Sequence, residues 1–147
     1  MKHMAKTVIG ICAYNEENNL RRLLQNLISE QNLSSDCEIL VVCSGCTDRT
    51  PEVAKEFQEK DSRVKPIVEE TRKGKANALN KIFSIAKESA EFLVLVNADA
   101  LPKPRTIPRL TAKLAASNAG AVFAQPVPFE GPSGLCYGIV GVIWRLH

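Results

Sequence analysis

Continuous apolar runs of strand length alternate with amphipathic helical stripes along this chain, and no other feature limits its fold as strongly. The apolar runs lie at residues 7–13, 38–43, 64–68 and 92–96. The first helical stripe consists of Leu20, Leu23, Leu24, Leu27 and Ile28. Runs without polar alternation predict buried strands, and apolar residues three and four apart predict helices. The sequence therefore predicts the element order βαβαβαβ.

Strands that are apolar throughout are typical of a sheet with helices on both faces. Because crossovers between parallel strands are right-handed, the predicted fold class is α/β, with a doubly wound, mainly parallel sheet. A fourth helix that stops at Gly120 and a further strand at residues 121–125 continue the pattern. Ligands bind such sheets at the carboxyl ends of the strands. The polar residues that follow each strand are therefore the candidate site.

Composition limits the classes of function. The 147 residues carry a formal net charge of +3 and are 45% hydrophobic, which suits one soluble globular domain. Lysines and arginines are interspersed with acids, so we expect no nucleic-acid partner. The residues ahead of the first strand do not suit a signal peptide, and the five cysteines are an odd number. We therefore expect a cytoplasmic protein with reduced thiols.

Asn97 and Asp99 follow the most apolar predicted strand and are separated by one small residue. Two side-chain oxygens at this spacing can point the same way from an extended segment. Mg²⁺ or Mn²⁺ in a nucleotide site takes one or two protein oxygens and completes its ligands with phosphate oxygens and water. An ordinary Asx turn before Pro102 explains the same residues equally well.

Arg72, Lys73, Gly74 and Lys75 precede the third predicted helix. Cations, a flexible glycine and the free amides of a helix N-terminus together favour phosphate binding. A solvated basic loop is the alternative interpretation of these residues, because exposed lysines are common near turns.

Tyr14, Asn15 and Glu16 end the first strand and begin the first helix. The ring of Tyr14 could lie along a base or a ribose, and Asn15 is expected to be both a ligand-facing residue and the N-cap of the helix. Glu16 and Glu17 in the first turn would also interact favourably with the helix dipole.

Cys43 and Cys46 form a C-x-x-C motif at a strand end, so a dithiol redox protein is an alternative function. Thr50 as N-cap and Pro51 at the first helical position would start the next helix after both cysteines. Neither sulfur would then lie at the helix N-terminus that lowers a thiol pKa. A zinc site would lack ligands, because the two histidines are near the chain ends.

Four segments at the strand ends together resemble the successive motifs of family 2 glycosyltransferases. They are Cys12-Ala13-Tyr14-Asn15-Glu16-Glu17, residues 42–50 with Cys43-Ser44-Gly45-Cys46, Gly74-Lys75-Ala76-Asn77-Ala78-Leu79-Asn80, and Val96-Asn97-Ala98-Asp99. The resemblance implies a Rossmann-like GT-A fold that binds a nucleoside-diphosphate sugar and transfers the sugar to an acceptor hydroxyl. A nonenzymatic module that binds the nucleotide sugar is the alternative within this fold.

The resemblance also implies roles for individual residues. It assigns Ala13, Tyr14 and Glu16 to the nucleoside. It places Gly74 and Lys75 beside the donor, in the same basic segment as Arg72. It assigns Asp99 to the metal ion, Mg²⁺ or Mn²⁺.

Two of the motifs depart from the family pattern. Asn97 stands where the family usually has aspartate, and an amide oxygen is a weaker metal ligand. Cys43 and Ser44 stand where the family usually has one or two aspartates. Ser44, next to Gly45, could still accept the N–H of the base, but a neutral acceptor does so less strongly than a carboxylate.

The domain division follows from these motifs. Residues 1–6 are interpreted as an extension or tag remnant and residues 7–126 as the nucleotide-sugar-binding domain. Residues 127–147 are expected to be a loop and an apolar segment of a truncated acceptor-side region. Residues 135–146 are too short to span a bilayer, so we expect them to need a partner surface, either a second copy or a partner at the inner face of the membrane. Glu130 is expected to be a loop residue, so no general base is assigned.

Overall fold

The computed structural model describes residues 6–125 and the backbone of residues 140–145, which form one six-stranded sheet and four helices. The strands are β1 (Thr7–Ala13), β2 (Glu38–Ser44), β3 (Val64–Glu69), β4 (Phe92–Asn97), β5 (Ala121–Phe123) and β6 (Val140–Arg145). The helices are α1 (Glu17–Ser29), α2 (Thr50–Lys60), α3 (Gly74–Ser89) and α4 (Thr106–Ala115). The predicted α/β order is confirmed.

The sheet has the strand order β3-β2-β1-β4-β6-β5. The first four strands in that order are parallel, and β6 runs antiparallel to both β4 and β5. In the parallel part Ala13 lies opposite Cys43, and Ser44 lies opposite Glu69. The carboxyl ends of β1 to β4 therefore meet at one edge of the sheet.

Helices cover both faces of the sheet, as predicted. On one face the core includes residues from α1, α2 and α4: Leu20, Leu23, Leu24, Leu27, Val53, Ala54, Phe57, Ile107 and Leu114. On the other face α3 packs through Ala78, Ile82 and Ala86. Each of the strands β1 to β4 contributes apolar residues to both faces, which explains why their apolar runs show no regular polar alternation.

One helix boundary was predicted wrongly. Helix α4 ends at Ala115, five positions before the predicted stop at Gly120, and Ala116 follows it as the C-cap. The backbone of residues 140–145 pairs with β4 and β5 in the same sheet. The need of residues 135–146 for a partner surface stays a prediction. Glu130 and residues 135–139 lie outside the described residues.

Among the helices that the structure describes, none combines the length and the apolar composition needed to cross a bilayer.

Gly10 lies in β1 directly beneath Ile82 of α3. A Cβ atom added at Gly10 would lie 2.5 Å from Cγ2 and 3.1 Å from Cδ1 of Ile82. Ile82 is fully buried, so neither methyl group has free space to move into. The absence of a side chain in the middle of β1 therefore allows the helix to pack this closely.

We expect Gly10→Ala to lower the free energy of unfolding by about 1–3 kcal/mol, because the added methyl group overpacks the core. Gly120→Ala is the matched control, since a Cβ atom there would meet nothing within 4 Å, and its effect should stay within about 0.5 kcal/mol. Urea unfolding of both variants measures the difference. Equal stability of the two variants would contradict the packing argument.

Candidate functional site

A pocket of about 340 Å³ lies at the edge where the four parallel strands end. Most of the predicted site residues line it: Ala13, Tyr14, Glu16, Ser44, Arg72, Gly74, Lys75, Asn97 and Asp99. The sequence analysis did not select four further lining residues, Cys12, Val42, Ala78 and Ala98. The volume is within the usual range for small-molecule sites, which is about 300–1,000 Å³.

Tyr14 and Arg72 form one wall of the pocket. The guanidinium carbon of Arg72 lies 3.9 Å from the centre of the Tyr14 ring, within the range of a cation–π contact. Both residues are exposed to solvent. The sequence placed Tyr14 beside a base and Arg72 beside phosphate, and the structure places the two side chains against each other.

Lys75 and Asn97 form a second contact across the pocket. Lys75 Nζ donates a hydrogen bond of 3.1 Å to Asn97 Oδ1. Asn97 is half-buried at the end of β4, and Asp99 is exposed just beyond it. The Lys75 ammonium and side-chain oxygens of Asn97 and Asp99 therefore line the pocket together at the carboxyl end of β4.

The chemistry of these oxygens fits a divalent ion in a nucleotide site. Asp99 offers a carboxylate and Asn97 an amide oxygen, and Mg²⁺ or Mn²⁺ needs few protein ligands when phosphates supply the others. Within the part of the chain that the structure describes, no three His, Cys, Asp or Glu side chains converge on one point. An all-protein metal cage is therefore absent from that part.

Asn15 does not cap α1. Its backbone lies in the left-handed region at φ 54°, and the N-cap position is occupied by Glu16. The Asn15 side chain instead accepts a hydrogen bond of 2.8 Å from the Thr47 amide and donates one of 3.0 Å to Thr47 Oγ1. Asn15 ties the loop after β1 to the loop after β2 and is not among the residues that line the pocket.

Thr50 also differs from its predicted role as N-cap. It is the first residue of α2, and its buried hydroxyl accepts a hydrogen bond of 2.8 Å from the Glu16 amide. The carboxylate of Asp48 accepts the Thr50 amide at 2.9 Å and the Glu17 amide at 3.2 Å. Asp48 and Thr50 therefore fix the start of α1, where Tyr14 and Glu16 meet the pocket.

Glu69 bonds to the pocket residue Ser44 and was not predicted from the sequence. It ends β3, and its side chain is only 4% exposed. Its carboxylate accepts hydrogen bonds from Ser44 Oγ at 2.7 Å and Lys81 Nζ at 2.6 Å. Its position as the last residue of β3 was the available signal, because the residues selected after that strand, Arg72 to Lys75, begin three positions later.

Gln31 is a second residue that the sequence analysis missed. Its fully buried side chain donates to the carbonyl oxygen of Lys103 at 3.0 Å and accepts the Ile107 amide at 3.1 Å. These bonds hold the segment between Asp99 and α4 against the end of α1. No periodicity in the sequence reports such a contact, because the bonded groups are more than 70 positions apart.

Cys43 and Cys46 are free thiols. Cys43 is buried in the core, and this burial raises its pKa to about 12, with the adjacent Cys46 thiol acting in the same direction. Cys46 Sγ lies 3.6 Å from the Ala13 carbonyl oxygen. A redox-active dithiol requires a lowered thiol pKa on its nucleophilic sulfur, so the environment of Cys43 does not support that function.

Comparison with known proteins identifies relatives of this chain. A family model described as glycosyl transferase family 2 matches residues 8–139. The probable glycosyltransferase YdaM of Bacillus subtilis is 31% identical over 129 residues, which are 85% of this chain and 30% of that protein. The chain spans less than half the length of the first curated relatives that it matches.

Solved structures share the fold. The mannosyltransferase PcManGT from Pyrobaculum calidifontis, in complex with GDP-Man and Mn²⁺, superposes with a TM-score of 0.74 at 28% identity, over 84% of this chain and 36% of that chain. Residues 1–349 of S. aureus TarS, in complex with UDP-GlcNAc, superpose with a TM-score of 0.74 at 20% identity, over 96% of this chain and 45% of that chain. These similarities confirm the predicted GT-A fold.

We expect Cys43 to alkylate at least about tenfold more slowly at pH 8 in the folded protein than in the urea-unfolded chain, because a thiol with a raised pKa forms little thiolate. Peptide mass spectrometry after iodoacetamide treatment from pH 6 to pH 10 measures the rate, and Cys43→Ala assigns the peptide. Rapid alkylation of Cys43 below neutral pH would instead favour the dithiol function.

Proposed function

This chain belongs to glycosyl transferase family 2, and from this membership we propose that it binds a nucleoside-diphosphate sugar in the pocket at the carboxyl edge of the sheet. We further propose that the protein transfers the sugar to an acceptor hydroxyl. The observation that carries the proposal is the convergence of an aromatic ring, two cationic side chains and an exposed carboxylate on this one pocket.

The nucleoside would lie against the wall formed by Tyr14 and Arg72. Their stacked contact of 3.9 Å presents a flat, positively charged surface, which suits both a base and the adjacent phosphate. Ser44 lines the same pocket, and its hydroxyl hydrogen is directed to Glu69. Toward a ligand Ser44 can therefore only accept a hydrogen bond, such as one from an N–H of the base.

The diphosphate would lie beside Gly74 and Lys75, where α3 begins. Free backbone amides at a helix N-terminus and a lysine ammonium both favour phosphate oxygens. Lys75 Nζ already lies 3.1 Å from Asn97 Oδ1, so it reaches the side of the pocket where Asp99 would hold the metal. Lys75 is placed to stabilise charge on both phosphates.

The proposed reaction is a displacement at the anomeric carbon. The bond from that carbon to the diphosphate oxygen breaks, a bond to the acceptor oxygen forms, and the acceptor hydroxyl gives its proton to a general base, to which no residue is assigned. Negative charge develops on the diphosphate, where Lys75 and Arg72 would stabilise it. Mg²⁺ or Mn²⁺ held by Asp99 and Asn97 would supply further charge stabilisation.

The relatives support this class of donor. The mannosyltransferase with 28% identity binds GDP-Man and Mn²⁺, which are a nucleoside-diphosphate sugar and a divalent ion. Its match covers 84% of this chain.

A nucleoside diphosphate should raise the melting temperature, because a ligand that binds only the native state adds about 2.7 kcal/mol at one hundred times its Kd. The measurement is a thermal-shift panel of the nucleoside diphosphates with and without Mn²⁺, with the free nucleosides as ligand controls. Lys75→Ala should weaken the shift, and Lys65→Ala, an exposed lysine near the opposite end of the parallel strands, should not. No shift with any base would overturn the proposal.

Asp99→Ala should abolish the part of the shift that depends on metal, and Asn97→Asp should strengthen it by replacing an amide oxygen with a charged ligand. Titration calorimetry of Mn²⁺ in the presence of the nucleoside diphosphate measures both effects. Asp36→Ala, an exposed carboxylate ahead of β2, is the control. Unchanged Mn²⁺ affinity in both site variants would remove the metal assignment.

A further inference from the structure

We propose that Glu69 is a positioning residue that holds the basic turn of residues 72–75 in the conformation that binds the donor. This inference rests on the proposed function of the pocket. It extends that function to a residue that is not among those lining the pocket and that belongs to none of the motifs selected from the sequence.

Glu69 is the centre of a set of polar contacts that we call the Glu69 network: Glu69, Ser44, Lys73, Asn77 and Lys81. The Glu69 carboxylate accepts hydrogen bonds from Ser44 Oγ at 2.7 Å, Asn77 Nδ2 at 3.1 Å and Lys81 Nζ at 2.6 Å, and Lys73 Nζ lies 3.8 Å away. A buried carboxylate persists in a fold when it is paired and hydrogen-bonded in this way.

The partners of Glu69 keep it ionised. The hydrogen bonds from Lys81 and then from Ser44 lower the pKa of the carboxylate. A lowered pKa means that the network is present at neutral pH and is lost only as the pH falls through the folded-state value. At neutral pH Glu69 can therefore only accept, and the hydroxyl of Ser44 must donate its hydrogen to it.

Because the Ser44 hydroxyl donates to Glu69, its oxygen can hold the backbone of the turn. With its hydrogen directed to Glu69, Ser44 Oγ offers a lone pair to the Lys73 amide, which donates to it at 3.1 Å. Lys73 is the N-cap of α3. Glu69 therefore fixes the first residue of the helix N-terminus through Ser44, and it fixes the first two turns of the helix directly through Asn77 and Lys81.

The loop after β2 is held against the same turn. The Gly45 amide donates to the Glu69 carbonyl oxygen at 2.9 Å, and Gly45 has a φ of 62°. A Cβ atom at Gly45 would collide with the backbone of Arg72. The loop after β2 therefore packs directly against the backbone of Arg72, whose guanidinium covers the Tyr14 ring.

The Glu69 network contributes more to the orientation of the turn than to the net stability of the fold. A buried ionic network often contributes little more to stability than apolar residues of the same volume would. Here the side chains that bond to Glu69 come from the end of β2, the turn and the start of α3, which are the segments that carry Ser44, Arg72 and Lys75. Glu69 thus connects the segments that would contact the donor.

We expect Glu69→Gln to weaken nucleoside-diphosphate binding about tenfold. The glutamine NH₂ group would face either the Ser44 hydroxyl or the Lys81 ammonium, and both of these groups donate hydrogen bonds to Glu69 in the wild type. Calorimetry measures Kd at a temperature where circular dichroism shows the variant to be folded. Glu70→Gln changes the adjacent, exposed glutamate in the same way and should leave Kd unchanged. Glu69→Asp keeps the charge and should restore part of the affinity.

A double-mutant cycle separates positioning from general destabilisation. If Glu69 acts on the turn through Ser44, the losses of affinity in Glu69→Gln and Ser44→Ala should not add in the double variant. Additive losses would show that Glu69 acts independently of Ser44, which would overturn the proposed route through Ser44 to the Lys73 amide.

The outcomes distinguish this inference from the proposed function. If the wild-type protein binds no nucleoside diphosphate, the proposed function fails. If the wild type binds and Glu69→Gln binds with the same Kd, the function stands and the role of Glu69 is wrong. Should Glu69→Gln fail to fold, the Kd of Lys81→Met decides the question, because this change removes one contact of the network at a residue that does not line the pocket. Unchanged Kd in Lys81→Met would then overturn the role.

Discussion

The parallel backbone pairing of β1 to β4 is the interaction on which the rest of this structure depends. Because all four strands run the same way, the last residue of each reaches the same edge: Ala13, Ser44, Glu69 and Asn97. Helices packed on both faces leave the strand ends as a place where polar groups from distant parts of the chain can meet. A slip of one residue in any pair would turn the end residue to the opposite face.

Two carboxylates at this edge illustrate how burial decides chemistry. Glu69 is buried, and a buried carboxylate needs hydrogen-bond partners to stay charged. Lys81, Ser44 and Asn77 donate those hydrogen bonds. Asp99 is exposed, and water can solvate its charge until a cation replaces the water. The first carboxylate therefore suits the fixing of a loop, and the second suits the binding of an ion.

The hydrogen-bond partners of Asn15 and Thr50 could not be predicted from the sequence. The strand ends were selected correctly as the candidate site, and most of the chosen residues line one pocket. Asn15 and Thr50 were interpreted as caps because such residues usually bond to their own helix. In the fold, each bonds to a different segment, Asn15 to Thr47 and Thr50 to Glu16. Local sequence preference could not reveal these partners.

The sequence by itself determined the order of elements, the parallel sheet and the edge that carries the site, because apolar periodicity reports burial within each short segment. The tertiary structure alone decided which polar groups pair. It joined Ser44 to Glu69, Gln31 to Ile107 and Arg72 to Tyr14, and it inserted β6 between β4 and β5. A hydrogen bond requires its two atoms to lie about 3 Å apart. Only the packing of whole elements sets such a distance between segments that are far apart in the chain.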